Sequence, residues 1–128
     1  MEQEQACYCG SGLMYRECCS RFLVDRLQPN TAEELMRSRY TAYVLANAKY
    51  IIDTTHPKTR HFHSKNAVLR WSKDNNWQEL QVVTSGENSV VFKAIFIDKD
   101  GNRQEHIENS LFEKMAGKWY YVSGTFLD

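Results

Sequence analysis

The sequence predicts an α+β fold: helices come first, an antiparallel sheet follows, and a small metal-binding cap precedes both. Three observations predict it. Four cysteines lie in the first nineteen residues and none follows; apolar residues recur at helical spacing from Leu35 to Trp71; and from Trp77 onward the apolar period shortens to two. At 128 residues the chain holds one compact core but hardly two. The expected division is a cap over residues 1–28 and a body over residues 29–128.

The cap is Cys7-Tyr8-Cys9 and Cys18-Cys19, with Gly10-Ser11-Gly12 between the pairs to turn the backbone sharply. The span Leu13 to Glu17 is long enough to bring the second pair back against the first. Four thiolates satisfy a tetrahedral zinc ion and leave no position for water or substrate, so such a site stabilises a fold instead of doing chemistry. One structural zinc per chain, on Cys7, Cys9, Cys18 and Cys19, is therefore expected. Arg16, Arg21 and Arg26 offset the negative charge of such a centre.

Thr31 is the expected N-cap of the first long helix, with Glu34 completing a capping box. Leu35, Met36, Tyr40, Tyr43 and Val44 form its buried face. Asn47 marks a kink or a new cap before Tyr50-Ile51-Ile52, and His56-Pro57 supplies a stop. A further helix is expected within 64–72, with Ala67, Val68 and Trp71 facing inward. Strands are expected over 77–84, 89–98, 103–115 and 119–126, with turns at Asp98-Lys99-Asp100-Gly101 and Ala116-Gly117-Lys118. Successive hairpins imply an antiparallel sheet, and helices laid on one of its faces give a layered α+β architecture.

Sixteen basic residues balance sixteen acidic ones, which removes the electrostatic reason to expect nucleic acid. The polar opening Met1-Glu2-Gln3-Glu4-Gln5 and the lack of a long apolar run point to the cytoplasm, away from a membrane. There is no glycine-rich phosphate loop, no H-E-x-x-H signature and no serine nucleophile motif.

The stretch from Cys7 to Cys19 resembles the SEC-C motif, the zinc module known from the C-terminal tail of the SecA translocation ATPase. Tyr8 stands where proline is common in that motif. The resemblance implies the four cysteines as ligands, and a protein partner for the cap, since in SecA the module contacts the SecB chaperone. Leu35 to Tyr43, Thr55-His56-Pro57 and Trp119 to Gly124 resemble the bacterial YchJ family, which couples a SEC-C motif to an NTF2-like domain. That resemblance implies an NTF2-like cone, in which helices pack on a curved antiparallel sheet with a small N-terminal zinc-binding cap. Many members carry a second, C-terminal SEC-C motif that these residues lack. Asn109 and Leu111 stand where arginine is common.

Such a cone can enclose a pocket, and Arg39, Tyr40, Tyr43, His56, Trp71 and Glu108 are the residues expected to line it. A charged Arg39 beside buried tyrosines needs a partner, and Glu108 is the expected one. These observations favour a zinc-binding accessory or protein-interaction role over catalysis. The alternative is an enzyme using His56 or Glu108 for general acid/base chemistry on a small organic ligand. Pairing of the open sheet into a homodimer is a further option.

Overall fold

Cap chemistry decides where the helices begin. A computed structural model describes residues 5–127. Thr31 starts α2 (Ala32–Val44) by accepting at Oγ1 from the Glu34 amide at 3.1 Å. The capping box is offset, because the Glu34 carboxylate takes the Asn30 amide instead of that of Thr31. Asn47 opens α3 (Ala48–Asp53) by accepting from the Tyr50 amide, and Ser64 opens α5 (Lys65–Asp74) by accepting from the Ala67 amide. Ahead of these lie a 3₁₀ turn (Tyr15–Glu17) and a single-turn helix α1 (Ser20–Leu23).

His56-Pro57, read as a stop, also begins a short helix, α4 (Pro57–Arg60). His56 caps it through Nδ1, which accepts from the Lys58 amide, and Pro57 fills a first-turn position where no N–H is needed. Ala67 faces solvent, against the periodicity, whereas Trp71 turns toward the sheet and packs on Trp77 and Phe96. Val68 and Ser72 form the buried side of α5, and Trp71 is 48% exposed.

The strands β1 (Asn76–Ser85), β2 (Ser89–Ile97), β3 (Arg103–Met115) and β4 (Lys118–Phe126) form an antiparallel meander in sequential order. Register shifts after Trp77 and Val82 in β1, and between Leu111 and Phe112 in β3, interrupt the ladder. Bulges of this kind tighten the twist, so the sheet curls around the helices. The free edge of β4 is stitched to the loop after α3. Tyr121 donates its amide to the Thr54 carbonyl, and His56 donates its amide to the Tyr121 carbonyl, each at 2.8 Å.

One core joins cap and body. Cys7, Cys9, Cys18, Cys19 and Tyr15 pack with Leu35, Met36 and Tyr40 of α2 and with Leu80, Val90, Ala94, Phe112 and Trp119 of the sheet. The Trp119 indole also donates to the Asn30 carbonyl and fastens the connecting segment.

Candidate functional site

The cysteine cage is built by a miniature hairpin. Cys7 donates its amide to the Leu13 carbonyl and Tyr15 donates to the Gln5 carbonyl, which closes the loop that carries Cys9. Gly10 and Gly12 take positive φ, at 76° and 89°, where other residues are strained. A side chain at Gly10 would also press on the Leu80 carbonyl. The 3₁₀ turn then delivers Cys18 and Cys19, so that the four sulfurs lie within 4.8 Å of one another. All four cysteines are buried and free of disulfides.

The spacing fits a tetrahedral metal. Zinc–thiolate bonds of about 2.3 Å set sulfur–sulfur edges of about 3.8 Å. The Cys9–Cys18 and Cys18–Cys19 separations are 3.6 and 4.0 Å. Crowding splits the thiol acidities: hydrogen bonds from Cys19 and Cys7 pull Cys9 down, those to Cys7 and Cys9 push Cys19 up, and burial pushes Cys18 up to about 11. Four thiolates coexist there only around a cation. Three donors supply the outer shell: Ser11 Oγ lies 3.2 Å from Cys18 Sγ, Thr41 Oγ1 donates to Cys19 Sγ, and Arg37 donates to the Cys9 carbonyl at 2.8 Å. Arg21 holds the Cys18 carbonyl, while Arg26 lies apart, in a shallow cleft beside Pro29 and Lys118.

The second site is a cavity of about 520 Å³ between the helices and the concave sheet face. Arg39, Tyr40, Tyr43, Trp71 and Glu108 all stand in its wall. His56 does not. Its ring pairs with Glu113 at 3.2 Å and packs on Tyr120, leaving it outside the cavity. The histidine that does line the cavity beside Glu108 is His106, which the sequence reading missed. Its signal was the alternation in β3, where His106, Glu108 and Ser110 project to one face.

The acidic end of the cavity is internally satisfied. Glu108 accepts from His106 Nε2 at 2.9 Å on Oε1, and from Ser110 and Tyr121 on Oε2. Burial alone would raise the carboxyl, but these hydrogen bonds and the His106 charge outweigh it and hold Glu108 below the ordinary glutamate range. Gly124 makes the seat. A Cβ there would collide with the Glu108 carboxylate and come within 2.8 Å of the Tyr121 hydroxyl.

Arg39 is not paired with Glu108, against the sequence expectation. Its Nη1 donates to the Ile51 carbonyl at 3.0 Å and to the Thr54 and Thr55 hydroxyls at 2.8 and 3.2 Å. The guanidinium stacks 4.3 Å above the Tyr121 ring, so Tyr121 separates it from the carboxylate that its own hydroxyl holds. Burial raises Tyr43 and Tyr121 above the ordinary phenol range, which keeps both protonated. The apolar walls are aromatic: Trp77 contacts Tyr40, Tyr43, Trp71 and Phe96 at ring-centroid separations of 5.0 to 6.1 Å. Phe62 and Phe126 complete the rim, 75% and 67% exposed.

Helices wrapped by a bulged meander around a polar-ended cavity, beneath a four-cysteine cap, define an NTF2-like domain with a SEC-C-type motif. Residues 31–124 match the family model for the YchJ middle NTF2-like domain, and the chain belongs to the YchJ family. It is 43% identical to a UPF0225 protein of Actinobacillus succinogenes over 125 residues, covering 93% of this chain and 80% of that protein. A UPF0225 protein of Haemophilus influenzae is 40% identical over 124 residues, covering 93% of this chain and 77% of that one. The solution structure of a SEC-C motif containing protein from Rhodopseudomonas palustris superposes with a TM-score of 0.87 at 36% identity, covering 95% of this chain and 98% of that one. A crystal structure of a SEC-C motif protein from Psychrobacter arcticus gives 0.76 at 27% identity, covering 99% and 85%. Among the described residues, no helix is long and apolar enough to cross a membrane.

Proposed function

We propose that this protein binds a small organic ligand in its cone and that one zinc ion in the cysteine cage is a structural part of the same core. The observation that carries the reading is the 520 Å³ cavity, apolar over most of its wall yet ended by a buried arginine and a buried glutamate. Cavities of several hundred Å³ with a few convergent polar groups are the usual form of a ligand site. The all-cysteine donor set favours zinc and a closed coordination shell, so the metal's contribution is to fold the cap onto α2. Tyr15 is buried in that shared core and Tyr8 packs against it. The cap is therefore packed as a structural wall of the body, and its exposed apolar side chains are Leu13, Met14, Val24 and Leu27.

The test is native mass spectrometry of protein purified without added zinc, followed by an NMR screen of small organic compounds read at the Trp71 and Trp77 indole signals. One zinc per chain and saturable shifts at both indoles support the reading. A metal-free folded chain defeats the first half, and no indole-shifting compound defeats the second.

A second reading rests on the His106–Glu108 pair. A carboxylate bonded to one imidazole nitrogen fixes the tautomer and leaves the other nitrogen to exchange a proton. In that reading the cone is an enzyme acting by general acid/base chemistry, with His106 in the role first assigned to His56. Deuterium exchange at carbon next to the carbonyl of a bound ligand, lost in His106→Asn, tests it.

A further inference from the structure

We infer that the ligand of the cone is a monoanion with an apolar, aromatic-sized body, its anionic group held by Arg39 on one side of Tyr121. This rests on the cavity being a ligand site and goes on to name the ligand's charge. Arg39 is only 7% exposed, and no carboxylate pairs with it among the described residues. Buried charges are normally paired, because desolvating a lone ion is costly. All three of its hydrogen bonds use Nη1 and serve to fasten the end of α3. The donors on Nε and Nη2 have no partner among the described residues, and Arg39 belongs to the cavity wall. A guanidinium presents donors in a planar fork that matches a carboxylate, and half of this fork is unused.

The opposite end argues for the same sign. Glu108 is already bonded to His106, Ser110 and Tyr121, so it does not call for a cationic ligand. Between the two ends, the aromatic walls of Trp77, Phe96 and Trp71 favour a planar or hydrocarbon body, and Trp71, Phe62 and Phe126 leave a mouth for it to enter. Burial and the Arg39 charge also push His63, at the same wall, toward its neutral form, so it does not compete as the counter-charge.

Three probes of one shape decide the matter at neutral pH: 3-phenylpropionate, 3-phenylpropionamide and 3-phenylpropylamine, titrated into the metal-loaded full chain. The readouts are the Trp71 and Trp77 indole signals and the Arg39 Nε–H signal. The acid is expected to bind at least tenfold more tightly than the amide and to move the Arg39 signal, which the amide leaves in place. Arg39→Lys keeps the positive charge and one donor for Ile51 but loses the fork, and is expected to lower the acid-over-amide ratio several-fold. Where that variant does not fold, the acid-to-amide ratio and the Arg39 signal in the unaltered protein decide alone. Amide binding as tight as the acid, or tightest binding by the amine, overturns the inference while the pocket stands. If none of the three moves either indole, the pocket reading fails and this one with it.

Discussion

The cysteine cage and the cone cavity both bring polar groups out of water, and they satisfy them in opposite ways. The cage collects four sulfurs within one short hairpin and a turn, and closes them on each other, with Ser11 and Thr41 as outer donors. The cavity draws Arg39 from α2, Glu108 and His106 from β3 and Tyr121 from β4, and leaves Nε and Nη2 of the arginine without a protein partner among the described residues. A closed site holds a fold together, whereas a site with unmet donors is open to something from outside. Breaking one member of the cage should therefore cost stability and metal together, while breaking the cavity should cost binding with metal retained.

The largest effect is expected for Cys19→Ser. Cys19 is fully enclosed and sits where the cage meets Thr41 of α2. A hydroxyl there is a poor zinc ligand, and the remaining thiols would be left buried without their cation. We expect loss of the zinc and a destabilisation above about 4 kcal/mol, beyond the common range for single substitutions. Native mass spectrometry and urea unfolding read the two together. A variant that keeps its zinc and its unfolding midpoint would break the claim that the cage is structural.

Gly124→Ala attacks the cavity alone. Its methyl group would have to displace the Glu108 carboxylate, and a buried carboxylate pushed off its donors costs about 2–4 kcal/mol. Zinc content should stay at one per chain while ligand-induced indole shifts disappear. Loss of both would mean that the two regions are not separable.

Much of this was legible in the sequence, for definite reasons. The cage was readable because its ligands are neighbours in the chain and their chemistry fixes their use. Thr31 and Asn47 were readable as caps because their signals are local, whereas Ser64 was read only as the start of a helical stretch. His56 was misplaced because a histidine before proline, in a helical context, gives no hint of which side of the chain it faces. It caps α4 and meets Glu113, fifty-seven residues away. The Arg39–Glu108 pair failed for a related reason: complementary charge predicts attraction, but Tyr121 is interposed by the register of β3 on β4, which no local pattern carries. The bulges that curl the sheet are likewise invisible to a period of two.

Glu108→Gln should have a smaller, pH-dependent effect. The folded carboxyl lies below its ordinary value, so the ionised form contributes stability that is fully present above the usual glutamate pKa and is lost as pH falls through the lower folded value. The charged groups facing it are His106 on its own strand and Arg39 beyond Tyr121. The amide keeps the shape but no longer titrates. We expect about 1–3 kcal/mol lost at neutral pH and a smaller difference between variant and parent below pH 4. Equilibrium unfolding from pH 3 to 7 measures it, and a constant gap across that range would mean that the Glu108 charge contributes nothing.

The smallest effect is the most discriminating, because one helix serves both sites. On α2, Arg37 and Thr41 are four apart and face the cage, whereas Met36, Arg39, Tyr40 and Tyr43 face the cavity. Arg37→Met keeps the aliphatic stem but removes the hydrogen bond to the Cys9 carbonyl and the ion pair with Glu33. A single part-exposed, charge-assisted hydrogen bond supports a loss of about 1 kcal/mol. Zinc should be released several-fold faster to a competing chelator, because the carbonyl that orients Cys9 is freed, while the acid-over-amide preference of the cavity stays unchanged. If the preference falls along with zinc retention, α2 transmits strain from the cage to Arg39, and the metal sets the ligand site as well as the fold.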